Sequence, residues 1–545
     1  MRHFITLLTL SFSFYAYASS PVSPKQNMVA SAHPLATQAA IDIFKQGGNA
    51  FDAAAALALT IGVAEPTGSG IGGGGFFLLY IAKEDRYVML DAREMSPTLA
   101  GNGEIYQTQS SIDGAQSAGV PGLIAGIEQL ISKYGKLDRQ TNTQAAIHIA
   151  ENGFKVSKHY QRVANWRLKV LQTNTAKNIY LHNGQVPEID SMIQQPALAK
   201  TLKRFAKYGA DDFYRGETAK RMVADMKKDG GLIRLDDLKA YKVIEREAMR
   251  FNYQGFEWIT ATLPSSGGIT LAETLGMLQD DNLGKLSEGD RTHLVVEAMK
   301  QAYKDRNQHL GDSDFVTIPD LLNEKRLKKL RLQISMNKTT PSSSFIADPS
   351  GNGVDTTHFS IIDKEGNMVA ATLSINYGFG SGYVSPSTGI LMNDEMDDFA
   401  TQVGKANAYG LVQGKANAVA PHKRMLSSMS PTFILGKERT LIVGTPGGSR
   451  IISMVLLAGL EFMQGGHDVN AWINKPRFHH QYLPDVIQHE QGAFTPKLAK
   501  QLQAKGHKLK QIRNYGNMHA ILWNTKTGKI FGASDKRGEG ITTTP

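Results

Sequence analysis

Val354-Asp355-Thr356-Thr357-His358-Phe359-Ser360-Ile361-Ile362-Asp363 is the stretch on which the reading of this chain turns. It follows a Ser/Thr/Pro/Gly-rich connector at 339–353 and opens a run of strand-like alternation. A threonine set there becomes a catalytic N-terminus if the chain is cut just before it. A free α-amine beside the threonine hydroxyl supplies base and nucleophile in one residue. The amine's ordinary pKa of about 7.7–8.0 suits it to accept a proton near neutral pH. The same two threonines can also do no more than start a strand, which threonine favours. The choice between these readings rests on the rest of the chain.

Working outward, 359–363 and 368–374 alternate around Lys364-Glu365-Gly366-Asn367 and read as paired strands. Further strands are expected at 432–434, 440–443 and 519–523, and helices at 451–463 and 496–505. Upstream, 34–44 and 52–63 read as two alanine-rich helices, the second apolar all round and hence buried. A glycine-rich loop at 68–75 leads into a hairpin of 76–82 and 87–91. The middle, 119–337, reads as mainly helical, with helices at 292–306 and 321–336 and a loop at Ser265-Ser266-Gly267-Gly268. The connector at 339–353 reads as mobile. No internal repeat of fixed period is present. Strands and helices segregate locally, which favours an α+β chain of layered sheets with covering helices.

Composition narrows the function. The chain has 545 residues, 41% hydrophobic and 20% charged, with a net charge of +10. That suits a large folded core. The positive charge is spread thinly. Its densest run, Lys325-Arg326-Leu327-Lys328-Lys329-Leu330-Arg331, carries leucines at helical spacing and reads as a solvated helix face rather than a nucleic-acid patch. There is no cysteine, which excludes disulfides, thiolate metal sites and a cysteine nucleophile. Residues 1–18 have the form of an export signal: Arg2 and His3, an apolar run, then Ala16-Tyr17-Ala18. Cleavage there leaves a chain with no membrane span, expected in the periplasm or secreted.

Several motifs carry chemistry weakly when taken singly. Gly68, Gly70 and Gly73 fit G-x-G-x-x-G, but a helix precedes and a strand follows, the reverse of a dinucleotide site. Gly444-Thr445-Pro446-Gly447-Gly448-Ser449-Arg450 has the opposite context, strand before and helix after, and can hold an oxyanion. Arg93 can clamp a carboxylate bidentately, or pair with Glu94 or Asp91. Asn393-Asp394-Glu395-Met396-Asp397-Asp398 can meet an ammonium group or form a solvated acidic loop, and its spacing is not that of an EF-hand. His479 and His480 are neighbours and fit a structural role better than metal binding.

Together these blocks resemble the γ-glutamyltranspeptidases, members of the N-terminal-nucleophile hydrolases. The likeness runs from about 30 to about 537. It rests on Gly-Ile-Gly-Gly-Gly-Gly-Phe at 70–76, Asp-Ala-Arg-Glu-Met at 91–95, Thr-Thr-His at 356–358 and Met-Asp-Asp-Phe at 396–399. It rests equally on Leu-Ser-Ser-Met-Ser-Pro-Thr at 426–432, Pro-Gly-Gly-Ser-Arg at 446–450, Pro-Arg-Phe-His-His at 476–480 and Gly-Ala-Ser-Asp at 532–535.

The resemblance implies a four-layer αββα sandwich and self-cleavage between Asp355 and Thr356. Fragments 19–355 and 356–545 then stay together as a heterodimer. It implies that Thr356 attacks a γ-glutamyl carbonyl, with Gly447 and Gly448 as oxyanion hole and Ser374 beside the nucleophile, where many members have threonine. Arg93, Ser427 and Ser428 then match the α-carboxylate site, and Asn376, Glu395 and Asp398 the α-amino site. Tyr409 belongs to a lid at 401–414. Glutathione and other γ-glutamyl compounds are the implied substrates, with water, amino acids or peptides as acceptors. No metal or organic cofactor is implied. An acylase for cephalosporin side chains, or a poly-γ-glutamate depolymerase, is the alternative on the same scaffold. Arg93→Ala is expected to raise KM and spare maturation.

Overall fold

The computed structural model describes residues 21–342 and 356–545. The export signal at 1–18, the later part of the connector and Asp355 lie outside the described residues. Two antiparallel sheets form its frame. Edge to edge, the seven-stranded sheet runs Ile541–Thr543, Met28–Ser31, Thr357–Ile362, Met368–Ser374, Gly74–Ile81, Arg86–Ala92 and Ile244–Glu247. The six-stranded sheet runs Ile530–Ser534, His519–Asn524, Arg439–Gly444, Thr432–Leu435, Phe256–Thr260 and Met249–Tyr253. In the first sheet Met28–Ser31, from before Thr356, lies between strands from after it, and both segments share the second sheet, so each lacks a complete sheet without the other.

Period-two alternation divides the first sheet between two cores. Phe77, Leu79, Leu90 and Ile361 join one core with the helices Pro34–Lys45 and Ala50–Ala64. Phe76, Leu78, Met89 and Ala370 join a second core with Phe433, Ile442 and Ile521 of the other sheet. The helices Gly267–Met277, Glu288–His309 and Ile451–Met463 also bury residues in that second core. Local chemistry explains the first two helices. Pro34 opens one, and the chain leaves it through Gly47 at φ +86°. Asn49 caps the other, in a reciprocal box with Asp52.

Most expected elements are present. Helix 451–463 is found as Ile451–Met463, and the strands flanking Lys364–Asn367 pair in the register Leu373 to Thr357. The mainly helical middle needs correction. Ile244–Glu247, Met249–Tyr253 and Phe256–Thr260 are strands that close one edge of each sheet. Their signal was the turn at Gln254-Gly255, both at positive φ, between alternating aromatics. The expected loop at 265–268 ends earlier, because Gly267 already begins a helix. A Cβ there would meet Ser430 Oγ at 2.1 Å, so only glycine lets the helix start so close to that segment. The connector is not mobile at its start. The Thr339 N–H donates to the Lys505 carbonyl at 2.7 Å, its hydroxyl to Glu297 at 2.6 Å, and the Ser342 N–H to Asp485 at 2.9 Å.

A buried polar seam crosses the inter-sheet layer. His358 bonds to Thr372 at 2.9 Å and Ser360 at 3.2 Å, and His519 to Ser534 at 3.0 Å. Burial pushes His358 well below the ordinary imidazole range, and takes His479 and His519 down to about 3. These rings are neutral when folded and free to protonate when unfolded. Below about pH 6.5 the unfolded chain therefore binds more protons, and stability falls as pH falls. By pH 4.5 the loss from His479 and His519 is roughly 2–3 kcal/mol each. Urea unfolding midpoints at pH 7 and pH 4.5 check this; equal midpoints would contradict it.

Candidate active site

Thr356 immediately precedes the inner strand Thr357–Ile362 of the first sheet and is 7% exposed. Gly68, from the glycine-rich loop, packs on its carbonyl: a Cβ at Gly68 would stand 3.2 Å from the Thr356 oxygen. The neighbouring glycines admit no side chain either. Cβ atoms at Gly72, Gly73 and Gly74 would fall 2.1–2.3 Å from backbone oxygens of Leu391, Ser374 and Ala92. The loop thus serves close backbone approach. Thr356 stands between two spaces: a narrow polar cavity on one side and an open cleft of about 750 Å³ on the other.

The narrow cavity collects most of the residues singled out above. Arg93, Ser374, Asn376 and Asp398 line it, as do Tyr409, Ser427, Ser428 and Gly448. Gly447 and Glu395 are not among its lining residues. Gly447 precedes Gly448 in the turn between the strand Arg439–Gly444 and the helix Ile451–Met463, at φ +142° and +57° respectively. Asn376 also has positive φ, +71°, held by an N–H bond to Ser374 Oγ at 2.8 Å and an amide bond to the Asp394 carbonyl at 3.0 Å. Tyr409 donates its hydroxyl to the Asn376 carbonyl at 3.1 Å, closing the segment 401–414 over the cavity. Asn407 braces that closure by accepting from the N–H groups of Tyr409 and Leu411.

Arg93 is 1% exposed and carries three carboxylates: Glu395 at 2.6 Å, Asp398 at 2.5 Å and Glu94 at 3.4 Å. Glu395 therefore stands behind Arg93. Burial raises its pKa far above the carboxylate range, against the pull of Arg93, and burial raises Glu94 likewise. Removing the cation strands buried acids, which costs about 3–5 kcal/mol. Arg93→Ala is thus expected to lose stability and cleaved product together, rather than spare maturation. A melting temperature and a denaturing gel of that variant check it; a normal melt with full cleavage would contradict it.

Ser427 and Ser428 lie where the chain passes the start of the helix Gly267–Met277, the Ser266 hydroxyl donating to the Ser427 carbonyl at 2.7 Å. One cavity residue escaped the sequence reading. Arg306, near the C-terminal end of the helix Glu288–His309, is 1% exposed and donates to Ser428 Oγ at 2.9 Å. An arginine in the last turn of a helix looks like a solvated cap, and nothing local marks it otherwise. His479 bonds to Ser453 and Gln481, and His480 to Asp485.

Three comparisons bear on these residues. The family model for gamma-glutamyltranspeptidase matches residues 36–544. A glutathione hydrolase proenzyme of Escherichia coli strain K12 is 39% identical over 534 residues, spanning 95% of this chain and 91% of its own. One from Pseudomonas aeruginosa is 39% identical over 560 residues, spanning 98% of both. Among solved structures, a gamma-glutamyltranspeptidase of Helicobacter pylori is 34% identical, with a TM-score of 0.55 over 58% of this chain and 93% of that one. A cephalosporin acylase of Bacillus halodurans shares the fold, with a TM-score of 0.82 over 99% of both chains at 24% identity.

Proposed function

We propose, from the premise that this chain belongs to the gamma-glutamyltranspeptidase family, that it hydrolyses glutathione and related γ-glutamyl compounds and transfers their γ-glutamyl group through an acyl-enzyme on Thr356. The observation that carries this reading is the position of Thr356, just before an inner strand, where a narrow charged cavity meets an open cleft. The narrow side suits a glutamyl group. The open side suits a leaving group and an incoming acceptor amine or water.

In this reading the chain cuts itself between Asp355 and Thr356, and the freed α-amine takes the proton of the Thr356 hydroxyl as its oxygen attacks the γ-carbonyl. The Gly447–Gly448 turn meets the negative charge on the tetrahedral oxygen. The proton passes to the departing amine, leaving an ester on Thr356. Water or an acceptor amine then attacks that ester and restores the hydroxyl. Ser374 supports Asn376 beside the nucleophile. Ser427 and Ser428 face the α-carboxylate, while Asp398 and Asn376 face the α-amine, with Glu395 acting through Arg93. Tyr409 closes the lid over the acyl-enzyme and limits water.

The two sheets and their flanking helices support a four-layer αββα sandwich made of fragments 19–355 and 356–545, which stay together because their strands interleave. No described helix is long and apolar enough to cross a membrane. The signal-like residues 1–18 are what supports export to the periplasm. The reading invokes no cofactor and no nucleic-acid partner.

Paired anilides test the substrate class. The γ-glutamyl anilide is expected to turn over at least about 100-fold faster than the glutaryl anilide, since only the first presents an ammonium to desolvated carboxylates. Equal rates, or a preference for glutaryl, would favour a cephalosporin-type acylase instead.

A further inference from the structure

We propose that His293, Glu297 and His507 form a binding site for one divalent ion of the zinc class, which fastens the segment before Thr356 to the segment after it. None of the three lines the narrow cavity or the open cleft, and nothing in the site depends on the γ-glutamyl reading.

His293 and Glu297 stand one turn apart on one face of the helix Glu288–His309, and His507 reaches them from beyond the helix Pro496–Ala504. All three are buried, and their ligand-type atoms lie within 4.8 Å of one another. His293 Nδ1 and His507 Nε2 are 2.7 Å apart, and His293 Nε2 faces the Ser335 carbonyl at 2.7 Å. A carbonyl only accepts, so His293 Nε2 carries its proton and Nδ1 turns a lone pair to His507. A ligand imidazole is commonly braced in this way, by a backbone carbonyl on its far nitrogen. Burial keeps both rings neutral at pH 7, holding His507 down to about 4. Glu297 accepts from the Thr339 hydroxyl at 2.6 Å and the Thr340 N–H at 2.9 Å, and each of its oxygens keeps a second lone pair.

The charge around the cluster favours a cation. Lys300 lies 3.5 Å from Glu297, but it also pairs with Asp485 at 3.0 Å and donates to the Thr339 hydroxyl and the Thr340 carbonyl. Two carboxylates thus share one ammonium, while Lys505 and Asp290 balance each other at 3.0 Å. One negative charge is left over beside two neutral imidazoles. Oxygen-only shells suit calcium and magnesium, whereas two imidazoles and a carboxylate suit zinc. Tetrahedral ligation at about 2.0–2.1 Å sets ligand atoms about 3.3–3.5 Å apart, so the rings part slightly and the carboxylate closes in. His507 moves its proton from Nε2 to Nδ1 and offers the freed lone pair, so binding releases no net proton. Water completes the shell. Because Ser335, Thr339 and Thr340 rest on the same side chains, the ion also pins the start of the connector.

The test uses the full protein as purified, stripped with a chelator, and takes Zn²⁺ and Co²⁺ as probes. About one equivalent of Zn²⁺ should bind, and saturating Zn²⁺ should raise the melting temperature by several degrees. Co²⁺ should give the intense visible band of a four-coordinate ion, which excess Mg²⁺ leaves in place. His507→Gln should weaken Zn²⁺ binding at least about tenfold and remove the Co²⁺ band. Glu297→Gln, which keeps the shape and loses the charge, should do likewise. Zn²⁺ binding no tighter in the unaltered protein than in His507→Gln overturns the proposal and leaves a plain hydrogen-bonded imidazole pair. Should neither variant fold, the Co²⁺ spectrum of the unaltered protein decides. A four-coordinate band erased by about one equivalent of Zn²⁺ supports the site. No band, or only the weak band of a six-coordinate surface ion, overturns it. Failure of the γ-glutamyl reading would show in the anilide rates and would leave these readouts unmoved.

Discussion

Thr356→Ala runs on a denaturing gel as one uncut chain, and its γ-glutamyl turnover falls by about 10⁴- to 10⁶-fold, as for other enzymes that lose their nucleophile. The substitution removes the attacking oxygen for both the backbone cut and the substrate reaction, so maturation and activity fail together. Its neighbour cannot stand in. Thr357 is wholly buried and pairs with Leu373 inside the sheet, committed to the frame. Folding should survive, since Thr356 precedes the first ladder residue of its strand and losing one hydroxyl there strands no ion pair. The melting temperature should therefore stay within a few degrees of the unaltered protein. N-terminal sequencing settles the matter: a fragment beginning Ala-Thr-His-Phe from this variant would end the self-cleavage account.

Gly448→Ala is expected to lower kcat by about 10²- to 10³-fold while leaving the chain folded, the size of effect seen when an oxyanion donor is lost. A Cβ on Gly448 would sit 2.4 Å from Cδ1 and Cε1 of Tyr409. That ring has little room to retreat. Its hydroxyl is tied to the Asn376 carbonyl and its face lies 5.2 Å from the Tyr377 ring. The turn and the lid must therefore give together, moving both the oxyanion site and the cover of the cavity. The left-handed backbone at φ +57° adds about 1 kcal/mol of strain for alanine. Gly447→Ala differs in cause: its Cβ would meet only the flexible Cε of Met454 at 2.5 Å, but φ +142° strains any side chain there. Combining Gly448→Ala with Tyr409→Ala should recover part of kcat. If the double variant is no faster than the single one, the steric account is wrong.

The site was legible in unequal measure. Thr356, Gly448, Ser427 and Ser428 announce themselves through ordered blocks of small residues, because a turn at positive φ or a close backbone approach admits few alternatives. Arg93 and the acidic turn at 393–398 were visible as charges but not as partners. Their mutual neutralisation is a long-range fact, joining residues some 300 positions apart. Arg306 left no mark, since a helix-terminal arginine is chemically the same whether it faces water or a cavity.

The chain's own pattern determined the strand pairing beside Thr356, the buried alanine-rich helix and the glycine turn before Ile451–Met463, because period, capping and φ are properties of a few adjacent residues. Only the tertiary structure decided that three strands from the supposedly helical middle complete both sheets, and that the segments before and after Thr356 interleave. It alone decided that Arg93 meets three carboxylates and that Arg306 braces Ser428. Burial and pairing depend on what the rest of the fold brings within a few ångströms, and no local stretch of sequence contains that distance.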